Sequence, residues 1–327
     1  MTQKTLTDGK LNTKNLLANM STRRWQSALA PFTNTWSSVC WSPELSLFVA
    51  VASSGVGNRV MTSSGGISWI SRTSAADNSW NSVCWSPELS LFVAVASSGV
   101  GNRVMTSPDG INWTTRTSAS DTGWQSVCWS PELSLFVAVS SSGVSNGAMT
   151  SPNGINWTSR TVAVATNWWY GICWSPELGL FVAVSYQGTD KVMTSPDGIN
   201  WTSRTSVALS GWRSICWSPE LRLFVATAES GPNGVITSPD GINWTTRTTP
   251  ADNSWESSCW SPELGLFVSM GTSGVSNRVM TSLDGINWTL KTNAVFDLAF
   301  TGVCWSPELS LFVAVTLNGN NRVFTSV

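Results

Sequence analysis

The sequence predicts an all-β fold: a seven-bladed β-propeller of four-stranded antiparallel blades, closed by its N-terminal strand pairing with the C-terminal blade. Three observations predict it. Cys40, Cys84, Cys128, Cys173, Cys216, Cys259 and Cys304 mark seven copies of one unit, spaced 44, 44, 45, 43, 43 and 45 residues apart. Turns divide each copy into four short apolar segments, which residues 124–161 display as WQSVCW, LFVAV, GAMTS and INWTSRT. Four strand-like segments on a period near 44 are the pattern of a radial repeat. The third observation lies at the two ends. Trp25 precedes Trp36 by the same 11 residues that separate Trp69 from Trp80 and Trp113 from Trp124. Residues 24–27 are therefore a fourth segment that arrives before any first, while residues 322–327 are a third segment after which no fourth follows. Pairing the two closes the ring and removes the free edge of an open array.

The chain then reads in order. Residues 1–21 do not match the repeat, and Leu16, Leu17 and Met20 give a helical hint too brief to be stable alone. They form an N-terminal extension or attachment arm, and an assembly partner would engage residues 1–20; a disordered extension is the plainer alternative. Residues 22–327 are the propeller. In the first unit, strand A is Trp36–Trp41 and Ser42-Pro43-Glu44 makes a turn, with proline fixing φ. Strand B, Leu47–Val51, is apolar on both faces, as a strand sandwiched between blades must be. A glycine-rich B–C loop leads to strand C at Arg59–Thr62. Strand D is expected to begin at Ile67 and to contain Trp69. The 21 tryptophans recur at the fold period, so most are expected to wedge between blades with their N–H groups on backbone acceptors.

Composition narrows the function classes. Charged residues make up 11% of the chain, against roughly 25% in an average soluble domain, and the net charge is -1. A nucleic-acid partner, which needs a basic face, is not expected. The absence of histidine removes the commonest acid/base and metal ligand at neutral pH. Seven cysteines at one equivalent position read as core residues and neither as disulfides nor as a metal site. No run of 18 apolar residues exists and the N-terminus carries no apolar signal core, so membrane insertion and a signal peptide are not expected. The expected location is then the cytoplasm or a virion, with export by another route left open. Nor does any glycine-rich phosphate cradle stand in a strand–turn–helix context, so no cofactor is expected.

The C–D turns carry a motif: Ser107-Pro108-Asp109-Gly110-Ile111-Asn112-Trp113, repeated at Ser195–Trp201 and Ser238–Trp244, with Ser282-Leu283-Asp284-Gly285 similar. An Asp–Gly turn lets the carboxylate bond local N–H groups while glycine accepts positive φ. The first copy, Ser63-Ser64-Gly65-Gly66, lacks the aspartate, and the third has Asn153. Over residues 22–327 this pattern resembles the Asp-box (BNR-type) repeat of sialidases, photosystem II assembly factors and many bacterial and phage propellers. The resemblance implies a C–D turn on the blade periphery, away from the ligand face, and an aspartate that clamps the turn. The repeated Glu44, Glu88, Glu132, Glu177, Glu220, Glu263 and Glu308 share that face and are expected to bond locally or to a neighbouring blade.

The B–C and D–A loops share the other face, where the copies vary most. After the first aromatic of strand A stand Ser37, Asn81, Gln125, Tyr170, Arg213, Glu256 and Thr301, seven different side chains at the mouth of the channel-lining strands. They read as a ligand-facing ring or as neutral surface. The fourth unit departs furthest. Trp169 is the counterpart of Trp36, which makes Trp168 an extra aromatic in the D–A loop. Tyr186, Asp190 and Lys191 occupy a B–C loop that elsewhere holds mostly Ser and Gly. Aromatic platforms beside a few hydrogen-bonding groups suit a sugar, whose rings have apolar faces and polar edges. The candidate ligand-binding residues are therefore Trp168, Trp169, Tyr170, Tyr186, Asp190, Lys191, Arg213 and Glu256. Trp168 as filler between blades, and Asp190 with Lys191 as an exposed local pair, are the plainer alternatives.

A sialidase-like glycosidase would need converging arginines and a Tyr nucleophile with a carboxylate partner, for which Tyr170 and Glu256 are available. Most arginines are instead repeat elements spread evenly over the blades, so no catalytic residues are assigned. The expectation is a non-catalytic binding module for a glycan or protein, with a scaffold or virion-associated structural protein as the alternative.

Overall fold

A computed structural model of the chain describes residues 24–205, 207, 210–291, 297–319 and 322–326; the expected arm at residues 1–21 lies outside them. Their 28 strands, from β1 (Trp25–Ala28) to β28 (Val323–Ser326), form seven four-stranded sheets. Six blades use consecutive strands. The seventh takes strand A from Phe300–Ser306, B from Leu311–Thr316, C from β28 and D from β1. β1 runs antiparallel to β28 with Trp25 opposite Ser326 and Ala28 opposite Val323. The ring is closed as the two ends predict.

The apolar core lies between blades. Val49, Val51 and Val60 of the first blade pack with Trp80, Val83, Trp85 and Phe92 of the second, and equivalent clusters join each later pair. Phe48 to Ala52 of strand B are all fully buried, which accounts for a segment with no polar alternation. The tryptophans divide by position. Trp36 donates to the Phe32 carbonyl and Trp69 to that of Gly66. The tryptophan after each cysteine departs from the expected backbone acceptor and donates to the turn glutamate of the preceding blade. Trp85 reaches Glu44 at 2.7 Å, Trp129 reaches Glu88 at 2.6 Å, and Trp41 completes the circle on Glu308 at 2.7 Å. One further donor–acceptor pair of this kind joins each remaining neighbour. A carboxylate is the stronger acceptor, and the Ser-Pro-Glu turn delivers it across the blade gap.

Strand D is shorter than expected. In the first blade it spans Ile70–Arg72, so Ile67 and Trp69 belong to the turn. The turn glycine Gly66 has φ +76° and the Trp69 indole must fold back onto its carbonyl while packing 6.2 Å from Phe48. That geometry holds the backbone out of the ladder until Ile70 pairs with Thr62. In the second blade Asp109 accepts N–H bonds from Ile111 and Asn112 at 2.8 Å and the Asn112 amide on its other oxygen. Gly110, at φ +71°, brings its Cα against the preceding blade: a Cβ there would stand 2.9 Å from Leu47 and Val49. Glycine is required by both conformation and space. Among the described residues no helix is long and apolar enough to cross a membrane.

Candidate functional site

A β-bulge places the variable ring. In the first blade the pairing passes from Trp36–Ala52 to Ser38–Val51, leaving Ser37 without an opposite residue, and strand A of every other blade shows the same irregularity. An extra residue re-aims the side chains beside it. Here it turns Ser37, Asn81, Gln125, Tyr170, Arg213, Glu256 and Thr301 into one cavity of about 370 Å³ at the channel mouth, with Ser53 and Leu317 from the B–C side at its rim. Three members of this ring are occupied by the scaffold. Asn81 donates to the Trp124 carbonyl at 2.9 Å, Thr301 to that of Trp36 at 2.7 Å, and Gln125 to the Ser141 hydroxyl at 2.8 Å.

The remaining large members gather in one quadrant. Arg213 of the fifth blade lies between two tyrosines of the fourth, its Cζ 4.4 Å from the Tyr170 ring centre and 4.3 Å from that of Tyr186. Trp168 stacks beyond Tyr186 at 6.3 Å with planes 22° apart. Glu229 accepts from Nε of Arg213 at 3.1 Å and from its Nη2, while Glu256 of the sixth blade stands 3.7 Å from Nη1. Cation–π and ion-pair contacts of this kind fix a long side chain in one pose. Burial opposes charge on Arg213, but Glu256 and Glu229 outweigh it and raise the guanidinium's pKa. The bond from the Tyr186 hydroxyl to Glu229, that carboxylate's charge and burial raise the phenol above its ordinary value, against Arg213. Burial raises Glu256, opposed by Arg213 and reinforced by Glu229. On the outer side of the same cluster, Tyr186, Gln187, Glu229 and Ser254 border a second depression of about 650 Å³.

The inserted Trp168 explains this arrangement. It lies in strand A and not in the D–A loop: the strand runs Trp168–Ser175 and pairs Trp168 with Gln187. The next pair is Trp169–Ser185, so Tyr186 is left without an opposite residue and swings toward Arg213. Three other candidates are corrected. Trp169 is fully buried as the inter-blade wedge equivalent to Trp36, so no ligand can reach it. Lys191 is buried and donates to the carbonyls of Tyr186 and Ser210, and burial lowers its pKa. It stands where Arg59 and Arg103 bond B–C loop carbonyls in their own blades. Asp190 is turned away from the cluster, its carboxylate accepting from Ser203 at 3.0 Å and its carbonyl from Asn167 at 2.6 Å. They are loop ties and not an exposed charged pair.

Glu229 escaped the sequence reading. The signal was available in hairpin arithmetic, because the register that pairs Trp212 with Ala228 sets Glu229 beside Arg213. Below the cavity the seven cysteines are unbridged. Burial raises their thiol pKa values, that of Cys259 to about 12, and for Cys173 the neighbouring Cys128 and Cys216 add to the rise. No described group of three or more His, Cys, Asp or Glu side chains is arranged to hold a metal ion.

No family model matches the chain, and no curated protein matches it either. Solved structures do. A virginiamycin B lyase from Staphylococcus aureus is 9% identical with a TM-score of 0.78, over 93% of this chain and 98% of that one. YCF48 from Cyanidioschyzon merolae is 13% identical with a TM-score of 0.66, again over 93% and 98%. The Niastella koreensis GH74 enzyme is 14% identical with a TM-score of 0.68, over 93% of this chain and 53% of the other. At such identities the shared property is the fold, a seven-bladed propeller of four-stranded antiparallel blades.

Proposed function

We propose that this propeller is a non-catalytic binding module whose ligand is a glycan held on the B–C/D–A face. One observation carries the reading: the ring's departures from its own repeat collect in one quadrant, where Tyr170, Arg213 and Glu256 line the channel-mouth cavity, Tyr186 and Glu229 border the outer depression, and Trp168 stacks on Tyr186. A cavity of this size lined by hydroxyls and amides, with an aromatic step at its rim, matches the apolar faces and polar edges of sugar rings. Solved propellers of similar fold include enzymes, so the residues and not the fold must decide against catalysis. Arg72, Arg116 and Arg160 each bond a strand-C threonine of their own blade, and Arg213 is already held by two carboxylates. Among the described residues no arginine group converges on the mouth to grip an anionic substrate, and Glu229 is engaged by Arg213 and Tyr186.

The test is a glycan array probed with the intact protein and with Trp168→Ala/Tyr186→Ala. The parent retains a defined set of sugars, and the double variant loses them while unfolding at a temperature close to that of the parent. Retention by the variant of the same sugars at the same strength removes this quadrant as the site.

A further inference from the structure

Charge at the channel mouth narrows the ligand further. Of the residues that line the 370 Å³ cavity, only Arg213 and Glu256 carry charge. The Arg213 guanidinium is committed on every side: Glu229 takes Nε and Nη2, and two tyrosine rings cover its faces. Arg213 is shared by two carboxylates, Glu229 at hydrogen-bond distance and Glu256 at 3.7 Å, while Lys191, which borders the outer depression with Glu229, is spent on the carbonyls of Tyr186 and Ser210. Glu256 is the group left unspent. Its side chain is only 23% exposed, and its one close partner is Arg213 Nη1 at 3.7 Å, too long for a hydrogen bond. Among the described residues none donates a hydrogen bond to it. It shares the cavity lining with Arg213 and otherwise only with neutral residues, Ser257, Ser214 and Tyr170 among them. A partly buried carboxylate that lines the cavity and has no protein hydrogen-bond donor offers an incoming ammonium both charge and acceptors.

We propose that the glycan recognised here carries a free amino group, as a de-N-acetylated hexosamine oligosaccharide does, with its ammonium on Glu256 and a flanking ring on Trp168. This rests on the glycan reading above and makes it specific. An anionic sugar would meet a mouth whose only arginine is already neutralised. The aromatic step and the carboxylate are separated by Tyr186 and Arg213, so a single sugar ring does not reach both; the ligand is an oligomer. A cation of this kind gains from the carboxylate both charge and the hydrogen bonds it lacks.

The test compares two oligosaccharides of equal length by titration calorimetry on the intact protein at pH 6 and low salt: a glucosamine hexamer and its fully N-acetylated form. The expected result is at least tenfold tighter binding of the amino form. Glu256→Gln then removes the difference between the two sugars, and Trp168→Ala weakens both. Equal affinity for the two sugars, with sensitivity to Trp168, overturns the amino-group assignment and leaves the glycan reading standing. Lack of binding by both, and by every sugar on the array, overturns the glycan reading itself. A lysine hexamer that binds as tightly as the amino sugar, independently of Trp168, overturns the carbohydrate assignment in favour of a basic peptide.

Discussion

The two faces of this ring are ends of the same strands, yet they are ordered in opposite ways. On the A–B/C–D face every blade repeats one bond: a tryptophan of one blade donates to the turn glutamate of its neighbour, seven times around. There, nearly every polar group that recurs is engaged by the fold. On the B–C/D–A face the equivalent position changes in each blade, and only some of its occupants are tied to a neighbour. Where a repeat protein keeps a residue in every copy, that residue holds the copies together. Where it abandons the pattern in one quadrant, as at Trp168, Tyr186 and Glu229, the side chains contact one another, and Tyr186 and Glu229 border an open depression instead.

The widest test of this contrast opens the ring. The seam between the seventh and first blades is crossed by the Trp41–Glu308 bond on the uniform face and by Thr301 on the Trp36 carbonyl at the mouth. Removing residues 1–28 deletes β1, exposes the edge of β28 and strips Trp25 and Ala28 from the core. A loss on the order of 5 kcal/mol is expected, a large share of a domain's total stability. Removing residues 1–21 leaves β1 in place and should move the melting temperature by less than about 2 °C. If both truncations melt together, ring closure does not depend on β1.

Neighbouring residues provide a sharper comparison. Trp168 and Trp169 are consecutive, but one is 37% exposed at the rim and the other is fully buried between blades. Trp169→Ala should cost about 3–5 kcal/mol in denaturant unfolding, the usual range for emptying a large aromatic site. Trp168→Ala should cost about 1 kcal/mol or less and instead remove ligand binding. Reversed magnitudes would mean that the extra tryptophan is the wedge and that the rim has no aromatic step.

This pair marks how far the sequence could be read. Blade number, strand order, the closing strand and the two faces followed from the period and from the mismatched ends, because those are properties of spacing. The channel-mouth ring followed from register on strand A. The finer site did not, since it depends on which residue is skipped in a ladder. Adding Trp168 shifted the pairing by one and released Tyr186, and nothing in the composition of the loop states that outcome. Lys191 was misplaced for a related reason. Its charge suggested exposure, but it occupies the position of Arg59 and does the same loop-tying work from a buried site. Period thus reports the frame, while the local irregularities that make a site appear only once the hydrogen bonds are drawn.

The smallest expected effect belongs to the turns of the uniform face, and there the chain carries its own control. Burial would raise the carboxyl of Asp109, but the N–H bonds of Asn112 and Ile111, with the Asn112 amide and the Ser107 hydroxyl, outweigh it and hold it at about 2; Asp197 and Asp240 are alike. A folded-state pKa below the unfolded value near 3.9 means stability that is complete above that value and lost as pH falls toward 2. The turns are exposed, so solvent screening reduces the contribution to about 0.5–1 kcal/mol each. In the third blade Asn153 makes the same two N–H contacts at 3.0 and 2.9 Å without a charge. Asp109→Asn should therefore cost about 0.5 kcal/mol at pH 7 and nothing near pH 2, while Asn153→Asp should gain a similar amount at pH 7 that acid removes. Urea unfolding at the two pH values measures both. Because these turns lie on the face away from the cavity, neither change should alter ligand affinity; a shift in affinity from either would mean that the two faces are coupled through the blades, and the division of the ring into a holding face and a binding face would fail.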